Sequence, residues 1–330
     1  MQKRYKIVID TKGADKGAGM MVAGAIEALK MHDSLDVLLV GDAAFIKAEC
    51  EKLGAPDERV EILDAPDEIT NYDSPAMAIF AKPDSSLVKA LEALSDRDDL
   101  VGMINAGSTG ALIAGSMRFL SGPERTRPAL AAVLPAATGG FTCLVDTGAT
   151  IDCSAQTLLH FAKLGSDFMR KYYSIDNPRV GLLSNGAEPT KGNAVVKEAH
   201  ALLAAAEDIN FVGNVEGNGA LSGSSDVLVC DGFAGNQVLK VSEGMARRII
   251  TDIVKYSKKT GDESIMKVVG YLMGIYDFNS LGGGILLGIT KPVIKAHGAA
   301  NEQSVVSTAG ILLNMIENKE IFDRAALEMK

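Results

Sequence analysis

The sequence predicts an α/β fold in which a mostly parallel sheet is covered by helices on both faces. Short apolar runs alternate with longer stretches of helical periodicity along the 330 residues. The runs are apolar at successive positions, which is typical of strands that are buried on both sides. Aromatic residues make up only 5% of the chain, so small and aliphatic side chains must build the core.

Nine apolar runs are predicted as strands, and helices are expected after most of them. The first strand, over residues 5–9, precedes a helix over 20–31 in which Val22, Ile26 and Leu29 recur at helical spacing. The other strands are predicted at residues 37–40, 60–63, 101–105, 130–134, 143–146, 180–183, 210–212 and 227–230.

Residues 233–280 carry no strand pattern and predict a long helical stretch that is interrupted near Gly261. We therefore expect one domain over residues 1–330, with a projecting helical hairpin inserted at 233–280. Five basic residues lie in this hairpin, beside an apolar stripe of Met245, Ile249 and Ile253. The basic residues are Arg247, Arg248, Lys255, Lys258 and Lys259.

Composition excludes several classes of function. The net charge of −9 leaves no basic excess for a nucleic-acid groove, so no nucleic acid partner is expected. The four cysteines and four histidines are scattered, so no metal site is expected. Neither a dinucleotide fingerprint nor a P-loop is present, and we expect no cofactor. The chain shows no signal peptide and no apolar span, which favours a cytoplasmic location.

Glycine-rich polar turns follow five of the predicted strands, at residues 10–15, 105–110, 146–150, 184–188 and 231–236. Ligands of open parallel sheets bind at the carboxyl ends of the strands. Gly107 and Gly110 let backbone amides converge at the positive end of a helix, where Ser108 and Thr109 add hydroxyl groups. This turn is the strongest candidate for binding phosphate or another oxyanion. The alternative is that glycines between a strand and a helix only relieve steric clashes in the turn.

Charged side chains near these turns are further candidates. Lys191 and Lys295 would supply positive charge, and His297 would act as an acid, a base or an anion donor, unless it is only a capping or core histidine. Four aspartates are expected to hold loops by accepting backbone amides. They are Asp10, Asp15, Asp146 and Asp231.

Taken together, the strand-end segments resemble the PlsX family of phosphate acyltransferases over nearly the whole chain. The matching positions include Asp10, Gly13 and Asp15, followed by residues 106–111, 146–152, 177–183, 186–193, 210–216, 231–244 and 294–298. The resemblance implies a three-layer α/β/α sandwich related to phosphotransacetylases and to isocitrate and isopropylmalate dehydrogenases. It also implies a homodimer with a projecting helical hairpin.

The same resemblance implies an enzyme that moves a fatty acyl group from an acyl carrier protein thioester to inorganic phosphate. The product, an acyl phosphate, would feed phospholipid synthesis. Such an enzyme would be cytoplasmic or peripheral at the inner face of the cell membrane. The basic residues of the hairpin would then bind the acidic carrier protein or contact anionic lipid. Alternatively, they form only a solvent-exposed helix face next to a dimer interface.

We expect phosphate to attack the thioester directly, without a covalent enzyme intermediate, because no activated serine or cysteine is evident. Phosphate would lie at residues 107–110, with Lys191 and Lys295 as counter-charges. Asn185, Asn236 or His297 would donate to the oxyanion, and His297 could also protonate the leaving sulfur.

Departures from the family pattern leave two alternatives open. The first loop reads Asp-Thr-Lys-Gly-Ala-Asp where the family usually has Asp-Ala-Met-Gly-Gly-Asp, and Asn105 and Ser108 stand as if exchanged. One alternative is an acyl-CoA-dependent phosphate acyltransferase, or a subunit that handles acyl phosphate. The other is a catalytically silent homologue that binds partners.

Overall fold

A computed structural model describes residues 3–122, 126–276, 283–298 and 300–317. These residues form two compact units. Unit 1 comprises the described residues up to 128 together with 283–317, and unit 2 comprises residues 129–276. The expectation of a single domain over residues 1–330 stays a prediction.

Within the described ranges the chain forms ten α-helices and eleven strands. The strands are β1 Tyr5–Asp10, β2 Leu35–Gly41, β3 Val60–Asp64, β4 Leu100–Asn105, β5 Ala129–Pro135, β6 Phe141–Val145, β7 Arg179–Leu183, β8 Asn210–Val215, β9 Val227–Val229, β10 Gly284–Leu287 and β11 Val293–Lys295. The helices are α1 Ala18–Met31, α2 Ala43–Leu53, α3 Pro75–Ala81, α4 Ser86–Asp96, α5 Thr109–Phe119, α6 Ala155–Tyr173, α7 Ala194–Ala205, α8 Gly232–Thr260, α9 Ile265–Tyr276 and α10 Glu302–Ile316.

Unit 1 is built on strands in the order β3-β2-β1-β4-β11-β10. Neighbouring strands run parallel except for the antiparallel pair β10 and β11. Ile7, Ile9 and Leu38 are completely buried, as strands covered on both faces require. Helix α1 packs against α10, and α5 packs against α3 and α4. This arrangement brings the carboxyl ends of β1, β4 and β11 side by side.

Unit 2 is built on strands in the order β5-β6-β9-β7-β8. The pair β5 and β6 is antiparallel, whereas β6, β9, β7 and β8 run parallel to their neighbours. Helix α6 packs on β9, β6 and α7, and its Phe161 is completely buried. The helices that follow β6, β7 and β9 all begin near the carboxyl ends of those strands.

The predicted α/β class with a mostly parallel sheet is confirmed, and all nine predicted strands are present within a few residues of their expected bounds. Two strands, β10 and β11, were not predicted. The apolar run over residues 285–289 is broken by Gly288, and β11 has only three residues after Pro292, so neither segment was predicted as a strand. β11 nevertheless matters for the site, because it ends at Lys295 and places this residue beside the carboxyl end of β4.

Helices α8 and α9 occupy most of the segment predicted as a helical hairpin, and they pack against each other. The interruption expected near Gly261 is the end of α8, where Gly261 has a φ of 72° and its amide caps the carbonyl of Ser257. Residues 277–280 of the predicted hairpin lie outside the described residues. No helix in the described part of the chain combines the length and apolarity needed to cross a membrane.

Candidate active site

In unit 1 the carboxyl ends of three neighbouring strands carry Asp10, Asn105 and Lys295. Asn105 Nδ2 donates to Asp10 Oδ2 at 2.9 Å, and Asn105 Oδ1 accepts from the Gly107 amide at 3.0 Å. Asp10 Oδ1 in turn accepts from the Lys12 amide at 3.1 Å. This relay of hydrogen bonds joins the turn after β1 to the turn after β4 and fixes both.

The two turns touch at glycines. A Cβ added to Gly13, which has a φ of 81°, would overlap the Cα of Gly107. Only glycine adopts this left-handed conformation without strain while leaving room for a neighbouring backbone. The motif positions Gly13 and Gly107 therefore share one physical requirement, which is the close approach of two loops.

Helix α5 begins at this turn without a side-chain cap from any described residue. Its first helical hydrogen bond is donated by Leu112 to the Ser108 carbonyl, so the amides of Thr109, Gly110 and Ala111 have no partner inside the helix. Lys295 Nζ reaches the same turn, where it donates to the carbonyl of Ala106 at 3.1 Å, and it also donates to the carbonyl of Ala296 at 2.6 Å. An uncapped helix start next to a buried ammonium is an environment that suits an anion.

Asp10 is 2% exposed, so its carboxyl group is almost completely removed from water. Burial raises the pKa of Asp10 to about 6, although hydrogen bonds from Ser86, the Lys12 amide and Asn105 act in the opposite direction. The group therefore changes charge close to neutral pH, at the centre of the relay that holds the turn of residues 105–110.

Asp15 and His297 lie at the edge of the same region. The Asp15 amide donates to the Gly298 carbonyl at 2.9 Å, which ties the loop after β1 to the loop after β11. His297 follows Lys295 by two residues and lines, with Ser304 and Thr308 of α10, a gap that has no room for a water molecule. Its role as a proton donor stays a prediction.

In unit 2 the residue that organises the first loop is Asp146, which follows β6 and is completely buried. Its Oδ1 accepts from the amides of Leu130, Gly148 and Ala149 at 2.9–3.2 Å, and its Oδ2 accepts from the amide of Thr150 at 2.6 Å. Burial raises the pKa of Asp146, and the four amides oppose that rise. With four donors satisfied by the loop itself, the carboxylate holds backbone and leaves little capacity for a ligand.

Helix α8 starts against this loop. Asp231 caps the helix by accepting from the Ala234 amide at 2.7 Å, and Asn236 Nδ2 donates to the Thr147 carbonyl at 3.2 Å. A Cβ added to Gly235 would overlap the Asp146 carbonyl oxygen. The glycine thus permits the first turn of α8 to rest directly on the loop of Asp146.

Asn185 and Lys191 belong to one loop after β7. Asn185 Oδ1 accepts from the Gly192 amide at 2.8 Å, which closes the loop and leaves the amide nitrogen of Asn185 without a hydrogen-bond acceptor among the residues that the structure covers. Lys191 is exposed, and its ammonium makes no ion pair within those ranges. Both side chains therefore have a donor available for a ligand.

A cavity of about 810 Å³ opens beside this loop. Residues from the starts of α6, α7 and α8 and from the ends of β7 and β9 line it. Asn185 and Asp231 are among them, whereas Asn236 and Lys191 are not. Sequence reasoning identified the individual turns but missed the cavity, because its walls come from separate segments that lie between Asp152 and Val238 of the chain.

The basic residues of α8 lie on one side of the helix and are all exposed. At 100° per residue, Arg247, Arg248, Lys255, Lys258 and Lys259 fall within a sector of about 120°. Arg248 forms an ion pair with Asp252 at 2.7 Å, and ion pairs of the other four are absent from the described residues. Val241, Met245 and Ile249 are at least 50% exposed beside this sector. The helix thus presents a basic face and an apolar face.

The predicted site residues consequently form two groups. Unit 1 brings together Asp10, Gly13, Asp15, Gly107, Ser108, Thr109, Gly110, Lys295 and His297, and unit 2 contains Asp146, Asn185, Lys191, Asp231 and Asn236. Ser86 was missed by the sequence analysis. It begins α4 and bonds to Asp10 across 76 positions of the chain, and nothing in its local sequence signals that contact.

Comparison with known proteins identifies the relationship that these loops suggest. A family model described as "Fatty acid synthesis protein" matches residues 5–320. The chain belongs to this family. Among its curated relatives, a phosphate acyltransferase from Clostridium novyi is 38% identical over 320 residues, covering 95% of each chain. A phosphate acyltransferase from Halothermothrix orenii is 39% identical over 314 residues, covering 91% of each chain.

The resemblance to PlsX phosphate acyltransferases is therefore confirmed, and the chain is a member of an enzyme family of the acyltransferase class. Solved structures agree on the fold. A phosphotransacetylase from Streptococcus pyogenes superposes with a TM-score of 0.63 at 18% identity, covering 96% of this chain and 95% of the other. The EutD phosphotransacetylase from Staphylococcus aureus gives a TM-score of 0.60 at 14% identity, covering 96% and 94%.

Proposed function

We propose that this phosphate acyltransferase family member transfers an acyl group from a thioester to inorganic phosphate and releases an acyl phosphate. The observation that carries the proposal is the turn after β4. There, the uncapped start of α5 and the buried ammonium of Lys295 create a site for a tetrahedral anion beside Gly107. The names of the curated relatives support phosphate as the acyl acceptor.

The chemistry is a direct displacement. A phosphate oxygen attacks the thioester carbonyl carbon, the carbonyl oxygen becomes an oxyanion, and the carbon–sulfur bond then breaks to release a thiolate. The new bond joins the acyl carbon to phosphate. Because thiolates leave readily, positioning of the two reactants and stabilisation of the oxyanion supply most of the rate.

The state of the buried cysteines supports transfer without a covalent enzyme intermediate. Burial raises the pKa of Cys143 to about 12 and holds that of Cys230 well above its usual range. A thiol that stays protonated is a poor nucleophile. Cys153 is half-buried and lines the unit 2 cavity. Cys153→Ser should retain acyl phosphate formation, and loss of that activity would point to an acyl-cysteine intermediate instead.

Three side chains are assigned roles within this proposal. The available donor of Asn185 and the exposed ammonium of Lys191, which both lie in unit 2, would act on the carbonyl oxygen of the thioester as it becomes an oxyanion. Asn236 already uses one N–H on the Thr147 carbonyl, so only its second N–H could serve a ligand.

We further propose an acyl carrier protein as the donor, and the basic face of α8 supports it. Acyl carrier proteins are acidic proteins that need an extended basic surface for docking. Coenzyme A is a small molecule, so it does not need the whole basic face of α8. The double variant Lys255→Glu/Lys258→Glu should raise KM for an acyl carrier protein thioester at least tenfold and leave KM for the matching acyl-CoA unchanged. Equal effects on both donors would favour the acyl-CoA-dependent alternative.

The assay that tests the function supplies phosphate and a panel of thioesters and traps acyl phosphate as the hydroxamate. Hydroxamate should form only when phosphate and the protein are both present. If no thioester yields a phosphate-dependent product, the silent-homologue alternative is correct. Formation of a homodimer and contact with an anionic membrane stay predictions. The exposed apolar residues of α8 and of α9, which include Tyr271 and Met273, support them.

A further inference from the structure

The cavity in unit 2 differs in chemistry from the turn after β4. None of the described residues that line it is basic, and its two charged residues are Asp152 and Asp231. A phosphate or a nucleotide would find no counter-charge there. The cavity volume of about 810 Å³ lies within the range of small-molecule binding sites.

Each of the three helices that begin at the cavity has its own side-chain cap, which satisfies one of its first-turn amides. Ser154 Oγ accepts from the Thr157 amide at the start of α6, Asn193 Oδ1 accepts from the Val196 amide at the start of α7, and Asp231 Oδ1 accepts from the Ala234 amide at the start of α8. The uncapped start of α5 in unit 1 is the contrasting case.

The buried part of the lining is apolar, and the exposed part combines polar side chains with the ring of Phe233, which is 60% exposed. Leu158, Leu182 and Cys230 are at most 3% exposed and form the deep part of the wall. Val196 and Ala234 are half-buried, whereas Asn185 and Asn193 are exposed. A ligand that matches this order has a long apolar part and a polar group at one end.

We infer that this cavity binds the hydrocarbon chain of the acyl group, with the carbonyl end directed toward the exposed residues near Asn185. The inference rests on the proposed function, which requires a thioester-linked acyl group. Asn185 has a donor available at that end, so it would hold the carbonyl oxygen of a bound acyl group. The cavity then sets which acyl chain lengths the protein accepts.

Narrowing the cavity tests this inference. Val196→Phe on α7 and Ala234→Leu on α8 would each add bulk to a half-buried wall position without replacing a core residue. Matched controls add the same groups elsewhere. Val212→Phe lies on β8 at a site that is 45% exposed, and Ala201→Leu lies on the exposed side of α7, and neither residue lines the cavity.

The first readout is binding of saturated fatty acids from butyrate to palmitate, measured by displacement of a fluorescent long-chain fatty acid from the full-length protein. Each methylene that enters the cavity should tighten binding by about fourfold. Val196→Phe and Ala234→Leu should end this gain at a shorter chain, weakening palmitate binding at least 50-fold and butyrate binding less than twofold. The controls should follow the wild-type profile.

The second readout needs no cavity-filling variant and remains available if both variants fail to fold. Cys153 lines the cavity and is half-buried, whereas Cys50, Cys143 and Cys230 are buried. Bound palmitate should slow alkylation of Cys153 at least tenfold, as followed by peptide mass spectrometry, and butyrate should not. Equal alkylation rates with and without palmitate would overturn the inference.

The two proposals fail differently. Chain-length-dependent binding without acyl phosphate from any thioester would overturn the proposed function and leave the cavity assignment intact. Acyl phosphate formation with the same chain-length profile in Val196→Phe, Ala234→Leu and the wild type would overturn the cavity assignment and leave the function intact.

Discussion

At the scale of single residues, Lys191 is a charged side chain that makes no ion pair within the described ranges. Replacing Lys191 by alanine should lower kcat/KM for acyl phosphate formation by about 100-fold, the cost of losing one electrostatic contact to a transition state. The melting temperature should stay unchanged, because an exposed ammonium without partners contributes little to stability. The hydroxamate assay and a thermal melt measure the two effects.

Lys197→Ala is the matched control for this prediction, since Lys197 is also exposed and lies on α7, which follows the same loop. Its rate should equal that of the wild type. A wild-type rate in Lys191→Ala would show that Lys191 does not contact the transition state.

Asp10 carries the second prediction at this scale. Its pKa rises from 3.8 to about 6 on folding, so between these pH values the folded protein keeps a proton that the unfolded chain has lost. Stability attributable to Asp10 therefore falls as the pH rises through this window, by up to about 3 kcal/mol. Asp10→Asn should remove this dependence, as measured by denaturant unfolding of both proteins between pH 4 and pH 7.

The difference in free energy of unfolding between wild type and Asp10→Asn is the quantity to compare, because other groups titrate in both proteins. A difference that stays constant across the window, or that grows in favour of the wild type as the pH rises, would show that Asp10 is not held protonated by its burial.

At the scale of elements, the start of α8 depends on glycine. Gly235→Ala would place a Cβ on the Asp146 carbonyl oxygen, so the helix must shift away from the loop after β6. We expect a loss of about 2 kcal/mol or more in the free energy of unfolding, as for overpacking in a core. Chemical denaturation measures it.

Gly244 supplies the control on the same helix. Apart from the chain neighbours and the backbone of α8 itself, no described atom lies within 4 Å of a Cβ at this position, so Gly244→Ala should raise stability by about 0.5–1 kcal/mol through helix propensity. Equal effects of the two substitutions would contradict the close contact between α8 and the Asp146 loop.

At the scale of the whole molecule, the exposed faces of α8 and α9 are the basis for predicted membrane contact. Tyr271 and Met273 of α9 are more than 50% exposed, and the basic face of α8 adds positive charge. Such a combination favours anionic lipid surfaces. Flotation with vesicles that contain anionic lipid should carry the protein upward, and vesicles of neutral lipid should not. Failure to float with either would leave these faces to a protein partner.

Much of this architecture could be predicted because its signals are local. Strands such as β1 and β2 are buried on both faces and therefore contain runs of consecutive apolar residues, at 7–9 and 37–40. The break at Gly261 is visible because a helix commonly ends at glycine. β11 was missed because three residues after a proline form no distinctive pattern.

The candidate site was predictable only as separate turns. The rule that ligands bind at the carboxyl ends of parallel strands led to residues 105–110 and 184–188. The contacts that give those turns their chemistry join distant segments, as when Asn105 binds Asp10 across 95 positions or Asn236 binds Thr147 across 89. The cavity between the starts of three helices has the same origin, since no single segment encodes it.

Binding of phosphate at the turn after β4 can be seen directly in a crystal structure of the protein soaked in orthophosphate. We expect tetrahedral density within hydrogen-bond distance of the backbone amides of Thr109 and Gly110, near the Lys295 ammonium. If that turn is empty or filled by side chains at a phosphate concentration that saturates acyl phosphate formation, the acceptor binds elsewhere and the assignment of this turn is wrong.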